Sequence, residues 1–83
     1  MTYTEAQKKE LIDHEDSWKA YRYQAGELMD MMQWIQTGYK DSTAKDLAVD
    51  LLSDKIKDLQ QQGEAHMDSI TFLRKKWDKE KLT

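Results

Sequence analysis

Apolar residues in both halves of the chain recur at alternating steps of three and four positions. We call each series a seam. The first seam consists of Leu11, His14, Trp18, Tyr21, Ala25, Leu28, Met32 and Ile35, and the second of Val49, Leu52, Ile56, Leu59, Gly63, His66, Ile70, Leu73 and Trp77. This is the heptad spacing of helices that pack as in a coiled coil, and neither seam has the two-residue alternation of a strand. The pattern predicts two long helices.

One segment, Thr37-Gly38-Tyr39-Lys40-Asp41-Ser42-Thr43, interrupts the pattern. Gly38 suits the position after a helix end, where a left-handed backbone conformation is common. The next helix would begin at an N-cap chosen from Asp41, Ser42 and Thr43, and Thr43 with Asp46 has the spacing of a weak capping box. The segment therefore predicts a tight turn between the helices.

Capping signals also mark the start of the first helix. Thr2 with Glu5 and Thr4 with Gln7 both have the spacing of a capping box. We therefore expect the first helix to begin at about residue 3 to 5.

These boundaries give one helical-hairpin domain over residues 1–83. Its helices are predicted at about 4–37 and about 43–80, with a turn at about 38–42. The predicted fold class is all-α: an antiparallel, coiled-coil-like hairpin that completes a helical bundle with a partner or with itself.

The two seams fit each other in one antiparallel register. In this register bulky Trp18 faces Gly63, and small Ala25 faces Ile56. The remaining facing pairs are Leu11 with Ile70, His14 with His66, Tyr21 with Leu59, Leu28 with Leu52, and Met32 with Val49. Pairing large with small residues keeps the helices evenly spaced, and it explains a glycine inside a helix.

Composition excludes several classes of protein. The 83 residues contain no Cys, no Pro and three Gly, which excludes a disulfide scaffold, a thiolate metal site and a cysteine nucleophile. A net charge of -3 does not favour nucleic acid as a partner, and no apolar run is long enough to cross a membrane. Without a visible signal peptide, we expect a cytoplasmic protein or one exported without a cleaved signal.

No catalytic arrangement is visible in the sequence. It shows no nucleophile with its base, and two helices offer no deep cleft that excludes water. We therefore expect no enzymatic activity, no cofactor and no metal site.

Apolar residues outside the seams suggest a surface for a partner. A two-helix chain buries little, so an additional apolar cluster needs explanation. The predicted partner contacts are Met29, Met31, Trp34 and Leu51 near the turn, where Leu47 joins them, with Met67 and Phe72 as secondary contacts. Methionine and aromatic residues are enriched at interfaces and adapt to irregular partners. The alternative is that these residues pack locally around the turn.

The facing histidines, His14 and His66, are the only two in the chain. They allow three interpretations: neutral rings that help to fix the register, a pH-sensitive layer, or part of a metal site. A metal would need further ligands, and a pH-sensitive layer would act through the repulsion of two imidazolium rings across the seam. Neutral rings that help to fix the register are the favoured interpretation.

Two charged segments have both structural and functional interpretations. The acidic stripe consists of Asp46, Asp50, Asp54 and Asp58, and the basic C-terminal segment contains Arg74, Lys75, Lys76, Lys79 and Lys81. The acidic stripe is interpreted either as a solvent-exposed helix face or as a contact surface for a basic partner. The basic segment complements the helix dipole, with membrane or nucleic-acid binding as the alternative.

A small helical hairpin with Trp34 and Gly38 at its turn resembles the WXG-type (ESAT-like) proteins of type VII secretion. The turn here reads Trp34-Ile35-Gln36-Thr37-Gly38 rather than Trp-x-Gly. The family's aromatic-x-x-x-acid export motif is missing after the second helix, where Phe72 is followed four residues later by Lys76. That spacing occurs only within the first helix, from Tyr23 to Glu27.

The chain is therefore more similar to the WXG-like accessory proteins of LXG toxins. This resemblance implies a non-enzymatic adaptor that binds the helical N-terminal domain of a toxin and helps to target it for secretion, sometimes together with a second small hairpin protein. Two alternatives remain open: a small phage or mobile-element inhibitor that acts through its acidic helix face, and a structural homodimer.

Overall fold

Two long helices joined by a short turn form an antiparallel hairpin in the computed structural model, which describes residues 3–81. Helix α1 spans Glu5–Gly38 and α2 spans Thr43–Lys81, each within one residue of the predicted bounds. No strand occurs in this part of the chain. The rod measures 63 × 16 × 14 Å. The predicted all-α hairpin is thus confirmed.

Helix α1 begins with a complete capping box at Thr4. The Thr4 hydroxyl accepts a hydrogen bond from the Gln7 N–H at 3.1 Å, and the Gln7 side chain accepts one from the Thr4 N–H at 2.9 Å. These bonds satisfy backbone donors that have no partner within the helix. Thr2, the alternative cap, lies outside the described residues.

The predicted left-handed conformation of Gly38 is wrong. Gly38 is the last residue of α1 and has no positive φ angle. The helix ends because Tyr39 adopts an extended conformation, with φ -120° and ψ 148°, while its N–H still bonds to the Ile35 carbonyl at 3.3 Å. The chain thus leaves α1 through an extended residue, without the reversal that favours glycine.

Helix α2 is capped by Ser42 rather than by Asp41 or Thr43. The Ser42 hydroxyl accepts a hydrogen bond from the Lys45 N–H at 3.1 Å, and its carbonyl accepts one from the Asp46 N–H at 3.0 Å. Thr43 is already the first helical residue, so the weaker box from Thr43 to Asp46 is not used.

The core lies along the middle of the two seams. Ala25, Ile56 and Leu59 are buried, and three half-buried seam residues pack against them: Tyr21, Leu28 and Met32. Every residue of both seams is buried or half-buried. The heptad pattern thus identifies the inner faces of both helices, as expected for coiled-coil-like packing.

The predicted pairing of Trp18 with Gly63 is also present. A Cβ atom added at Gly63 would lie 3.4 Å from the Tyr21 Cβ and 3.6 Å from the Trp18 Cδ1. The Arg22 guanidinium lies over the same indole, 5.3 Å from its centroid, at cation–π distance. Gly63 thus lies directly against this aromatic layer, and an added Cβ would meet it at ordinary contact distances.

The open end of the hairpin, opposite the turn, contains a contact between two aromatic residues. Trp77 is buried, and its ring centroid lies 5.5 Å from that of Tyr3 in a tilted arrangement. Together with buried Ile70, this contact extends the seam of α2 almost to its last turn. Neither described helix has an apolar stretch of the length and hydropathy needed to cross a bilayer.

Candidate partner-binding surface

Lys45 organises the turn that carries the candidate surface. Its ammonium donates to the carbonyl oxygens of Gln36 and Tyr39, at 2.8 and 3.0 Å, and to an Asp41 carboxylate oxygen at 3.0 Å. The last turn of α1 contains no basic residue, so Lys45 supplies from α2 the cation that favours a helix C-terminus. Only 12% of its side chain is exposed.

The turn-end surface is a groove of about 640 Å³ beside this turn. Its apolar lining consists of Met31, Trp34, Ile35, Tyr39, Ala44 and Ala48. Trp34 and Tyr39 meet edge to face with centroids 5.6 Å apart, so the indole is held by a neighbour although 62% of the residue is exposed. The structure therefore exposes an aromatic pair and a methionine at the turn end of the hairpin.

Leu47 and Leu51 extend the turn-end surface along α2. Each lies three residues after a small lining residue, Ala44 and Ala48 respectively, and such positions are neighbours on a helix surface. Leu51 is 70% exposed, the highest value among the exposed large apolar residues. Three of the predicted contacts, Met31, Trp34 and Leu51, thus share one surface.

Exposed apolar residues continue along the outer side of α1. Ile12, Tyr23 and Trp34 are spaced by eleven residues, which is close to three helical turns, so they fall along one line. This line begins at the turn-end surface and runs toward the open end. The heptad spacing did not reveal this line, because its residues recur every eleven positions and not at alternating steps of three and four.

Met29 does not lie on the turn-end surface. Two residues correspond to about 200° of helix rotation, so Met29 and Met31 point to different sides of α1. Met29 lines a separate groove with Arg22, Gly26 and Gln60. Sequence proximity to the turn suggested one cluster, but the rotation of the helix divides it.

Met67 and Phe72 lie far from the turn. Phe72 is exposed in a shallow concavity with Asp68 and Leu73, and Met67 is half-buried. The 21 positions between Leu51 and Phe72 correspond to about 30 Å along a helix. A partner that contacts both must therefore run along much of the rod.

The two histidines form a direct contact across the hairpin. Their Nδ1 atoms are 2.9 Å apart, a hydrogen-bond distance, and the ring of Tyr21 stacks on His66 at 5.7 Å. The ring centroids are 5.2 Å apart, as expected when the two nitrogens point straight at each other. Ring nitrogens that share a metal point instead toward a third point off that line, and no group of three metal-ligating residues occurs within residues 3–81.

Tyr23 and Glu27, which have the spacing of the export motif, interact on the exposed face of α1. A hydrogen bond to Glu27, together with the negative charge of that carboxylate, raises the pKa of Tyr23 above its ordinary value. Both residues are exposed, so this pair leaves an aromatic ring and an acid available on the surface.

The charged segments both face solvent. Asp58 of the acidic stripe bonds to Gln62 at 2.8 Å and lies 3.7 Å from the Lys55 ammonium. Because four residues exceed one turn by about 40°, the stripe winds around α2 instead of following one face. The described basic side chains near the C-terminus, Arg74, Lys75, Lys76 and Lys79, are exposed as well.

Sequence reasoning missed the role of Lys45. Two sequence features could have indicated it: the last turn of α1 lacks a cation, and Lys45 stands four residues after Asp41. Tyr39 was placed in the turn segment, but its edge-to-face contact with Trp34 was not predicted.

Comparison with known proteins identifies no relative of this chain. No family model, no curated protein and no solved structure matches it.

Proposed function

We propose that this protein is a non-enzymatic helical adaptor that binds a helical partner through its turn-end surface. The observation that carries the proposal is the exposure of Met31, Trp34 and Leu51 beside a turn held in place by Lys45. Aromatic residues and methionine are characteristic of interface cores, and a rigid turn presents them without an ordering cost on binding.

The accessible surface of the chain supports a missing partner. It amounts to 6531 Å², about a quarter more than the roughly 5,200 Å² expected for a compact monomer of 9.9 kDa. A standard protein interface covers about 800 Å² on each partner. One or two helical chains packed along the rod would therefore bring its exposure into the usual range.

The line formed by Ile12, Tyr23 and Trp34 indicates how a partner helix would lie. A helix that packs lengthwise on α1 from the turn-end surface would cover these side chains in succession. This is the geometry of a helical bundle, which the two-helix hairpin would complete.

The finer assignment rests on the resemblance to accessory proteins of LXG toxins. On that basis the partner is the helical N-terminal domain of such a toxin, and the adaptor helps to target it for type VII secretion. A second small hairpin protein would occupy the remaining side of the bundle.

The experiment is co-expression with the helical N-terminal domain of an LXG toxin, followed by calorimetric titration of the two purified proteins. The double substitution Met31→Ala with Trp34→Ala should lower the affinity about 30-fold or more, because two central apolar contacts are lost. Met29→Ala is the matched control, since it removes the same kind of side chain from another side of α1. The affinity of the Met29→Ala variant for the toxin domain should stay within about threefold of that of the original chain.

Two further variants separate the alternatives. Asp50→Lys with Asp54→Lys reverses charge on the acidic stripe, and it should leave toxin-domain binding nearly unchanged. If these substitutions abolish binding while the Met31 and Trp34 variant binds normally, the acidic face is the contact and the proposal fails. Light scattering on the pure chain tests the homodimer: a stable dimer whose turn-end surface is buried would equally overturn the adaptor.

A further inference from the structure

At the His14–His66 contact, two side chains of the same ionisable type meet across the hairpin at hydrogen-bond distance. An N–H···N bond needs one nitrogen that carries hydrogen and one that carries a lone pair. With the Nδ1 atoms 2.9 Å apart, one ring is therefore the donor and the other is the acceptor.

This geometry limits how many protons the layer can hold. A first added proton can go to the outward Nε2 of the donor ring, and the Nδ1–H···Nδ1 bond survives with a positive charge on one ring. A second added proton must occupy the acceptor Nδ1, which places two N–H groups and two positive charges head to head. In the folded hairpin a second N–H can therefore be placed on this line only if the contact between the two Nδ1 atoms opens.

The surroundings of the layer contain both compensating and neutral groups. On α1, Glu10 lines the same concavity as His14, and on α2, Asp68 does so. Their carboxylates offset part of a single positive charge. The ring of Tyr21 stacks on that of His66, with centroids 5.7 Å apart. None of these groups lies between the two facing nitrogens, so two N–H groups would still meet head to head.

We infer that the His14–His66 layer is an acid-sensitive latch, which holds the hairpin closed near neutral pH and loosens it when both rings become charged. The inference rests on the facing nitrogens and does not depend on the proposed adaptor function. In an unfolded chain both histidines ionise independently, with a pKa of about 6.5.

The direction of the effect follows from the proton count. Below about pH 6.5 the unfolded chain binds two protons at these residues and the folded chain binds one, so stability falls as the pH falls. If the doubly charged folded state is excluded, the folding equilibrium constant drops about sixfold between pH 7.5 and 5.5.

The test is urea unfolding at both pH values for the original chain and for His14→Gln with His66→Gln, a variant that contains no histidine. Between pH 7.5 and 5.5, the folding equilibrium constant of the original chain should fall by a factor about six times larger than that of the variant. Equal pH dependence of the two proteins would overturn the latch.

A second measurement needs no variant. Nitrogen-15 NMR of the imidazole rings in the original chain should show one proton taken up while the hairpin signals persist, and the second only as those signals disappear. Two independent titrations in a hairpin that stays folded would contradict the inference, even if the glutamine variant does not fold.

Discussion

The middle of the seam and the turn-end surface contain the same kinds of side chain in opposite environments. Leu59 is 3% exposed between the helices, whereas Leu51, two turns earlier on α2, is 70% exposed. Burial of an aliphatic side chain contributes about 1.5–3 kcal/mol, so the seam provides the stability. At the turn the backbone is fixed by the hydrogen bonds of Lys45, and the apolar side chains of the turn-end surface remain exposed.

The comparison teaches that helix rotation, rather than proximity in sequence, determines which apolar residues act together. Met29 and Met31 are separated by one residue but lie in different grooves. Conversely, Trp34 and Ala48 are distant in sequence but line the same groove. The seam is repetitive and easily read from the sequence, whereas the turn-end surface depends on how the turn places one helix beside the other.

The sharpest test of this comparison is the same substitution at both leucines. Leu59→Ala should cost about 2–5 kcal/mol, because it leaves a cavity beside Ala25 and Ile56 in a small core. Leu51→Ala should change the free energy of unfolding by no more than about 0.5 kcal/mol. Urea denaturation followed by circular dichroism measures both. Equal losses would mean that the turn-end surface is already part of a core, as in a self-associated bundle.

A smaller effect is expected at the turn itself. Lys45→Met keeps the length of the side chain but removes its three hydrogen bonds, and it should cost about 1–2 kcal/mol. Lys55→Met is the matched control, because Lys55 only forms an exposed ion pair with Asp58 at 3.7 Å. The control should differ little from the original chain in urea denaturation. If both variants are equally stable, the lysine bridge does not hold the turn.

Much of this fold was predictable because local signals agree with the packing. The heptad spacing identifies both inner faces, and Thr4 with Gln7 marks the start of α1. Gly38 was misassigned because glycine permits a left-handed conformation without requiring it. The carbonyl groups at the end of α1 are satisfied by Lys45, a residue beyond the turn, and a contact between helices cannot be read from local propensity.

The candidate surface was only partly predictable for a related reason. Composition and position selected Met31 and Trp34, which line one groove, and Leu51, which lies one helical turn after the lining residue Ala48. The same criteria also selected Met29, because composition and position do not take into account the direction in which a residue points around the helix axis. The facing histidines were predictable as a pair from the register, but the alignment of their Nδ1 atoms depends on side-chain conformation.

The smallest expected effects are the changes in stability caused by alanine at two glycines inside the helices. Gly26 has no atom within 4 Å of an added Cβ, so Gly26→Ala should stabilise the hairpin by about 0.5–1 kcal/mol through helix propensity alone. Gly63→Ala should gain the same propensity and a small additional packing contribution, because its Cβ would lie at ordinary contact distance from the aromatic layer, 3.4 Å from the Tyr21 Cβ and 3.6 Å from the Trp18 Cδ1. Thermal unfolding of the two variants measures the difference. A loss of stability in Gly63→Ala would contradict this expectation and would show that the aromatic layer cannot take one additional methyl group, so that large-small pairing requires glycine at this position.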